Sequence, residues 1–98
     1  MNSKQRNFLR AMATKIQSYV TIGKGGLSDS VINEISEVLD GKELMKITVL
    51  KNSLEDPKVL IDEIIAKLKA EPIATIGNKL VIYRRSKKKE IEHIILPV

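Results

Sequence analysis

Cysteine is absent from this chain, which excludes disulfides and thiolate metal sites and suits a reducing compartment. Tryptophan is absent as well, and Phe8, Tyr19 and Tyr83 are the only aromatic residues, so the core has to be aliphatic. One histidine, His93, cannot make a recognisable zinc site, and nothing around Ser28 or Ser30 resembles a nucleophile elbow that it could serve. Asp62 and Glu63 are neighbours on a helical stretch, so their carboxylates diverge. With no set of residues to fill catalytic roles, the expectation is a protein that is not an enzyme and uses neither metal nor cofactor. No apolar run approaches a membrane span, and the basic amino-terminal stretch lacks the apolar segment of a secretory signal. A cytoplasmic monomer without a membrane partner is expected.

Acid is missing only in places. Residues 1–28 carry Lys4, Arg6, Arg10, Lys15 and Lys24 and no acid, residues 29–71 carry ten acids against six bases, and residues 72–98 carry six bases against two acids. The net charge of +5 points to a polyanionic partner. The segregation points further, to one positive face and one negative face. At 98 residues the chain makes one domain, spanning 1–98, with a single modest core.

The apolar periodicity places a helix over residues 3–16, with Ser3 as its cap and Phe8, Leu9, Met12, Ala13 and Ile16 on one stripe. A strand over 19–22 follows, then a helix over 28–40 capped by Ser28 and stopped at Gly41. Met45, Ile47 and Val49 alternate with Lys46 and Thr48 in a second strand over 44–50. Asp56 and Pro57 open a third helix that Pro72 ends. Gly77-Asn78 turns between strands over 73–76 and 79–84, the latter with an unbroken apolar run that fits a position central in a sheet. Residues 91–96 return to the body as a short edge strand. The order helix-strand-helix-strand-helix-strand-strand gives an α+β (α/β two-layer) fold, a mixed four-stranded sheet packed with helices.

The organising stretch is Gly23-Lys24-Gly25-Gly26-Leu27, between the first strand and the second helix. Glycines let the backbone turn sharply and approach a ligand with no Cβ in the way. The helix that starts at its exit turns free N–H groups and a positive dipole end to the same space. Exposed amides, a lysine and no steric screen together suit a phosphate. The loop is not a nucleotide-binding P-loop, since Gly25 follows Lys24, and it is not a dinucleotide fingerprint, since Ser28 stands where the third glycine belongs. Taken alone, it also fits a plain turn, and the run Arg84-Arg85-Ser86-Lys87-Lys88-Lys89 taken alone also fits a solvated bend.

As an ordered set these segments resemble the CRM domain family, named for chloroplast RNA splicing and ribosome maturation, in its standalone bacterial YhbY-like form. The resemblance rests on the opening basic helix with Lys4, Gln5, Arg6, Leu9, Met12 and Ala13, and on the loop from Ile22 to Ser28. It continues through Glu43-Leu44-Met45-Lys46-Ile47-Thr48-Val49, the hairpin from Ile76 to Arg84 and the closing Ile95-Leu96-Pro97. It implies a fold similar to the C-terminal domain of a bacterial translation initiation factor. It implies RNA binding, and for standalone bacterial members an association with ribosomal RNA in precursor large ribosomal subunits, where ribosomal proteins become possible neighbours. The family's GxxG motif falls on Gly23 and Gly26, with Lys24 and Gly25 between. Arg85 stands where relatives often carry proline.

The expected RNA-binding residues are Gly23, Lys24, Gly25 and Gly26, flanked by Lys4, Arg6, Arg10, Lys15, Arg84, Arg85, Lys87, Lys88 and Lys89, with both basic ends folded back beside the loop. Two other readings stand beside this one. A KH-type domain would use the same GxxG spacing on short single strands, but its loop joins two helices. An adaptor would dock a basic protein on its acidic middle and leave its basic ends solvated.

Overall fold

Side chains at the element ends decide where each element starts and stops. The computed structural model describes residues 1–98 and contains α1 (Ser3–Ala13), β1 (Ser18–Ile22), α2 (Asp29–Lys42), β2 (Leu44–Val49), α3 (Pro57–Leu68), β3 (Glu71–Ile76) and β4 (Lys79–Tyr83). The cap of α1 is Asn2, not Ser3. Its Oδ1 accepts the Gln5 N–H at 2.8 Å while Gln5 Oε1 accepts the Asn2 N–H at 3.1 Å, a reciprocal capping box. The helix stops short of residue 16 because the N–H groups of Thr14, Lys15 and Ile16 turn to acceptors three residues back, on Ala11, Met12 and Ala13.

Ser28 caps α2, its Oγ accepting the Val31 N–H at 3.2 Å. Gly41 does not stop this helix. It continues to Lys42, and the residue with positive φ is Glu43, at 66°. A non-glycine residue there costs about 1–2 kcal/mol, which the anchored Glu43 side chain described below offsets. Asp56 and Pro57 open α3 as expected, but Lys69 (φ 53°) ends it, and Pro72 lies inside β3.

The sheet order is β1-β2-β4-β3, with β1 parallel to β2 and the other pairs antiparallel. Gly77, with φ 58°, supplies the positive first central position of the two-residue hairpin. Between β2 and β3, β4 is covered on both faces, which explains its unbroken apolar run Leu80 to Tyr83. On one face α2 and α3 pack over Val20, Ile22, Met45, Ile47, Leu80 and Ile82. On the other, Leu9 and Ala13 of α1 cover Leu44, Ile73, Val81 and Tyr83. Residues 84–98 dock on this second face through Ile94 and Leu96, and Gln5 Nε2 donates to the Pro97 carbonyl at 3.1 Å. The expected edge strand over 91–96 does not form. The Ser86 and Ile94 N–H groups donate to the Glu43 carboxylate instead of to a strand. No helix is long and apolar enough to cross a membrane.

Candidate nucleic-acid interface

The glycine loop leaves β1 beside the end of β2, where Ile22 is opposite Val49. The Gly26 N–H donates to the Gly23 carbonyl at 3.0 Å and closes a tight turn, with Gly26 at φ 64°. No protein group accepts the N–H of Lys24, Gly25 or Leu27. A Cβ added to Gly25 would meet nothing within 4 Å, whereas one on Gly23 would lie 3.4 Å from Asn52 Oδ1. The packing of the protein therefore does not require glycine at 25. Space is open beside residue 25, next to the free amides. Lys24 is exposed and in no ion pair, and the first turn of α2 opens beside it. Asp29 in that turn is the one acid at the loop's exit.

The two basic ends of the chain do not fold to one place. Because β4 runs antiparallel to β2, Tyr83 lies opposite Leu44, at the far end of the sheet from Ile22 and Val49. The run from Arg84 to Lys89 therefore leaves the sheet roughly 17 Å from the glycine loop, the length of the intervening strand. The expected single cradle formed by loop, first helix and carboxy-terminal run is not what the chain builds. The physical reason is strand direction: the Gly77-Asn78 hairpin turns at the loop end and sends β4 away from it.

Arg84 is also not a free cation. Its Nη1 donates to the Leu68 carbonyl at 2.9 Å, and its Nη2 to the Ser36 carbonyl at 3.2 Å, Ser36 Oγ at 3.1 Å and Asp40 Oδ1 at 3.0 Å. It binds the carboxy-terminal ends of α2 and α3 to β4, where the helix dipoles favour a cation. Arg85, Lys87, Lys88 and Lys89 remain exposed.

Two strand lysines that the sequence did not mark as site residues join the amino-terminal group. Lys46 and Lys79 line a small cavity of about 110 Å³ together with Arg10 and Thr14 from the end of α1. Lys79 Nζ donates to Thr48 Oγ1 at 2.8 Å, and Thr48 Oγ1 donates to Ser18 Oγ at 2.7 Å. Lys79 follows Asn78, whose Nδ2 donates to the Val49 carbonyl at the loop end. Lys51 lies in the turn that packs on Gly23 through Leu50 and Asn52. A line of cations thus runs from Lys24 and Lys51 over Lys79 and Lys46 to Arg10. Lys4, Arg6 and Lys15 share the acid-free α1 region with Arg10, while α2 carries Asp29, Glu34, Glu37 and Asp40 on the opposite layer. Of the two tyrosines, Tyr83 is buried, and burial raises its hydroxyl pKa. Tyr19 is exposed, with Lys42 Nζ 5.7 Å from its ring.

The residue that sequence reasoning missed outright is Glu43. Its side chain is fully buried and accepts the Ser86 N–H at 2.7 Å and the Ile94 N–H at 2.7 Å, with His93 Nδ1 also 2.7 Å away. Burial pushes its pKa up, but the hydrogen bonds from His93, Ile94 and Ser86 outweigh that and hold it below the ordinary value. His93 is thus a structural partner of the Glu43 carboxylate.

Fold and loop together define an α+β domain whose strand-to-helix corner offers free amides and a lysine to an anion. The sequence matches the family described as the CRS1 / YhbY (CRM) domain over residues 1–84, and the chain belongs to that family. It is 37% identical over 93 residues to a Bacillus subtilis protein named a probable RNA-binding protein, YqeI, covering 94% of this chain and 97% of that one. It is 34% identical over 92 residues to a Haemophilus influenzae protein named an RNA-binding protein, covering 94% and 93%. The solution structure of the Staphylococcus aureus protein SAV1595, described as a candidate RNA-binding protein, superposes with a TM-score of 0.77 at 38% identity over 96% of this chain and 99% of that one. These similarities agree with the entry into the glycine loop, which here follows a strand and not the helix of a KH domain.

Proposed function

We propose that this protein, acting over residues 1–98 as one domain, binds RNA through its phosphodiester backbone, and that its cytoplasmic target is ribosomal RNA in precursor large ribosomal subunits. The observation that carries the reading is the set of unpartnered amides on Lys24, Gly25 and Leu27, in a loop where residue 25 has no packing need for glycine. Phosphate oxygens replace water at those amides, the Lys24 ammonium pairs with the charge, and Lys51, Lys79, Lys46 and Arg10 extend the contact along the sheet. Lys4, Arg6 and Lys15 on and after α1 widen the same field. With Phe8 and Tyr19 as the only exposed aromatic residues, stacking contributes little and RNA shape dominates recognition. The relatives named as RNA-binding proteins support the ligand class. The ribosomal target rests on the family resemblance, and the exposed acids Glu34 and Glu37 of α2 suit a basic ribosomal protein beside it.

The test is binding of the purified protein to large-subunit ribosomal RNA, measured by fluorescence anisotropy, together with its sedimentation among ribosomal particles from cell lysate. The double variant Lys24→Asp, Gly25→Asp is expected to weaken binding about tenfold or more, since it places two acids where phosphates sit. Unchanged affinity would remove the loop from the interface. Sedimentation apart from large-subunit precursors would remove the ribosomal assignment alone.

A further inference from the structure

The far end of the sheet carries a feature that the glycine loop does not explain. An open depression of about 590 Å³ lies there, with Lys69, Arg84, Arg85, Lys87 and Lys88 in its wall and Asp40 as the only acid. Arg84 and Asp40 neutralise each other in a 3.0 Å ion pair and belong to the framework. What remains is Lys69, Arg85, Lys87 and Lys88, all exposed and none in an ion pair. Two anchors fix this wall. Ser86 is buried between Arg85 and Lys87, donating its hydroxyl to the Asp40 carbonyl at 2.6 Å and its N–H to Glu43 at 2.7 Å, and the Lys88 N–H donates to Ser86 Oγ at 3.1 Å. The left-handed turn at Lys69 sets the fourth cation at the end of α3.

A solvated lysine run would need no such anchoring. Here the backbone that carries three cations is tied down on both sides of a concave surface, so little ordering entropy is lost when an anion enters. Helix C-termini at this end attract a cation, which accounts for Arg84, but they do not account for four further positive charges that the protein leaves unpaired.

We propose that this depression is a second phosphodiester site, separate from the glycine loop, and that the protein holds two segments of one folded RNA at opposite ends of its sheet. The proposal rests on the RNA-binding reading above. The two ends, roughly 17 Å apart along the strands, are too far apart to grip the same phosphate group. They suit a folded RNA that returns to the protein, such as two arms of a junction. Lys69 enters the RNA-binding set with this site, and Arg84 leaves it for a framework role.

The native chain has no cysteine, so a single introduced thiol can carry a tethered hydroxyl-radical source to one end at a time. Asp29→Cys places the probe beside the loop and Glu90→Cys places it beside the depression. With large-subunit ribosomal RNA, the two probes are expected to cut two separate segments. The four-site variant Lys69→Ala, Arg85→Ala, Lys87→Ala, Lys88→Ala changes only exposed side chains. It is expected to erase the cuts from Glu90→Cys, to retain those from Asp29→Cys, and to lower the salt slope of log affinity by about 3. Cuts from Glu90→Cys that are absent, coincide with those of the loop probe or survive the four-site change would overturn the second site and leave the loop reading standing. Failure of the unmodified protein to bind the RNA overturns both.

Discussion

Single glycines and a single glutamate divide structure from function at the residue scale. Gly26 has φ 64°, so alanine there strains the turn itself. A loss of about 1–2 kcal/mol is expected, visible as a lower Tm. Gly25 sits in open space, so Gly25→Ala should leave Tm unchanged or slightly raised, while its Cβ obstructs the free amides and weakens RNA binding several-fold. A Tm loss at 25 equal to that at 26 would mean both glycines serve the turn alone. Glu43 is the opposite case, a charged residue whose work is internal. Glu43→Ala leaves two backbone N–H groups without their acceptor and is expected to cost about 2–4 kcal/mol in urea unfolding. Its folded pKa lies below 4.5, so its stabilisation is fully present above that value and is lost as pH falls through the lower folded value. The gap between wild type and Glu43→Gln should therefore close as pH falls through that lower value. A gap that persists unchanged at low pH would show that the carboxylate charge is not what holds the tail.

Between elements, the question is which contacts could be read from the chain. The strand-loop-helix corner was legible because glycine placement, the Ser28 cap and the apolar stripe of α2 all agree. The Gly77-Asn78 hairpin and the doubly covered β4 were legible for the same reason. Lys46 and Lys79 were not, because an outward lysine on a strand looks the same whether its neighbours are solvent or another cation brought by α1. Glu43 was not, because its partners lie 43 to 51 positions away and nothing local marks it as buried. The place of the carboxy-terminal run depended on the direction of β4 relative to β1, and a sheet order is not written in periodicity. Arg84 shows the consequence. Counted by sequence it is one more cation, yet it makes four hydrogen bonds that tie α2 and α3 to β4. Arg84→Ala should therefore lower stability by about 2–3 kcal/mol, discounting the partly exposed Asp40 pair, and leave the salt slope of RNA binding unchanged. Arg84→Lys should recover only part of the loss, since one ammonium cannot span acceptors on two helices. An unaltered Tm with a shallower salt slope would return Arg84 to the RNA.

At the scale of the whole molecule, the net +5 hides a layered charge. The α1 layer and the loop end are cationic, whereas α2 carries four acids against Lys42. If RNA lies on the cationic line, Glu34 and Glu37 sit on the far side of a sheet, about one Debye length or more from the phosphates at 0.1 M salt. The variant Glu34→Gln, Glu37→Gln then removes two negative charges from the total while changing affinity less than about twofold at that salt. Its effect should grow as salt is lowered and appear in the association rate, because only long-range steering is altered. The salt slope should stay where the contacting cations put it. Five cations from Lys24 to Arg10 give roughly −3.5 for a single strand, and engagement of the second end as well brings it to about −6. A rise in affinity of tenfold or more at 0.1 M salt would place the acidic helix within contact distance of RNA and turn the molecule around on its ligand. Net charge alone cannot make that distinction, since both orientations carry the same total. Only the dependence of each substitution on salt separates a charge that touches phosphate from one that merely shares the field.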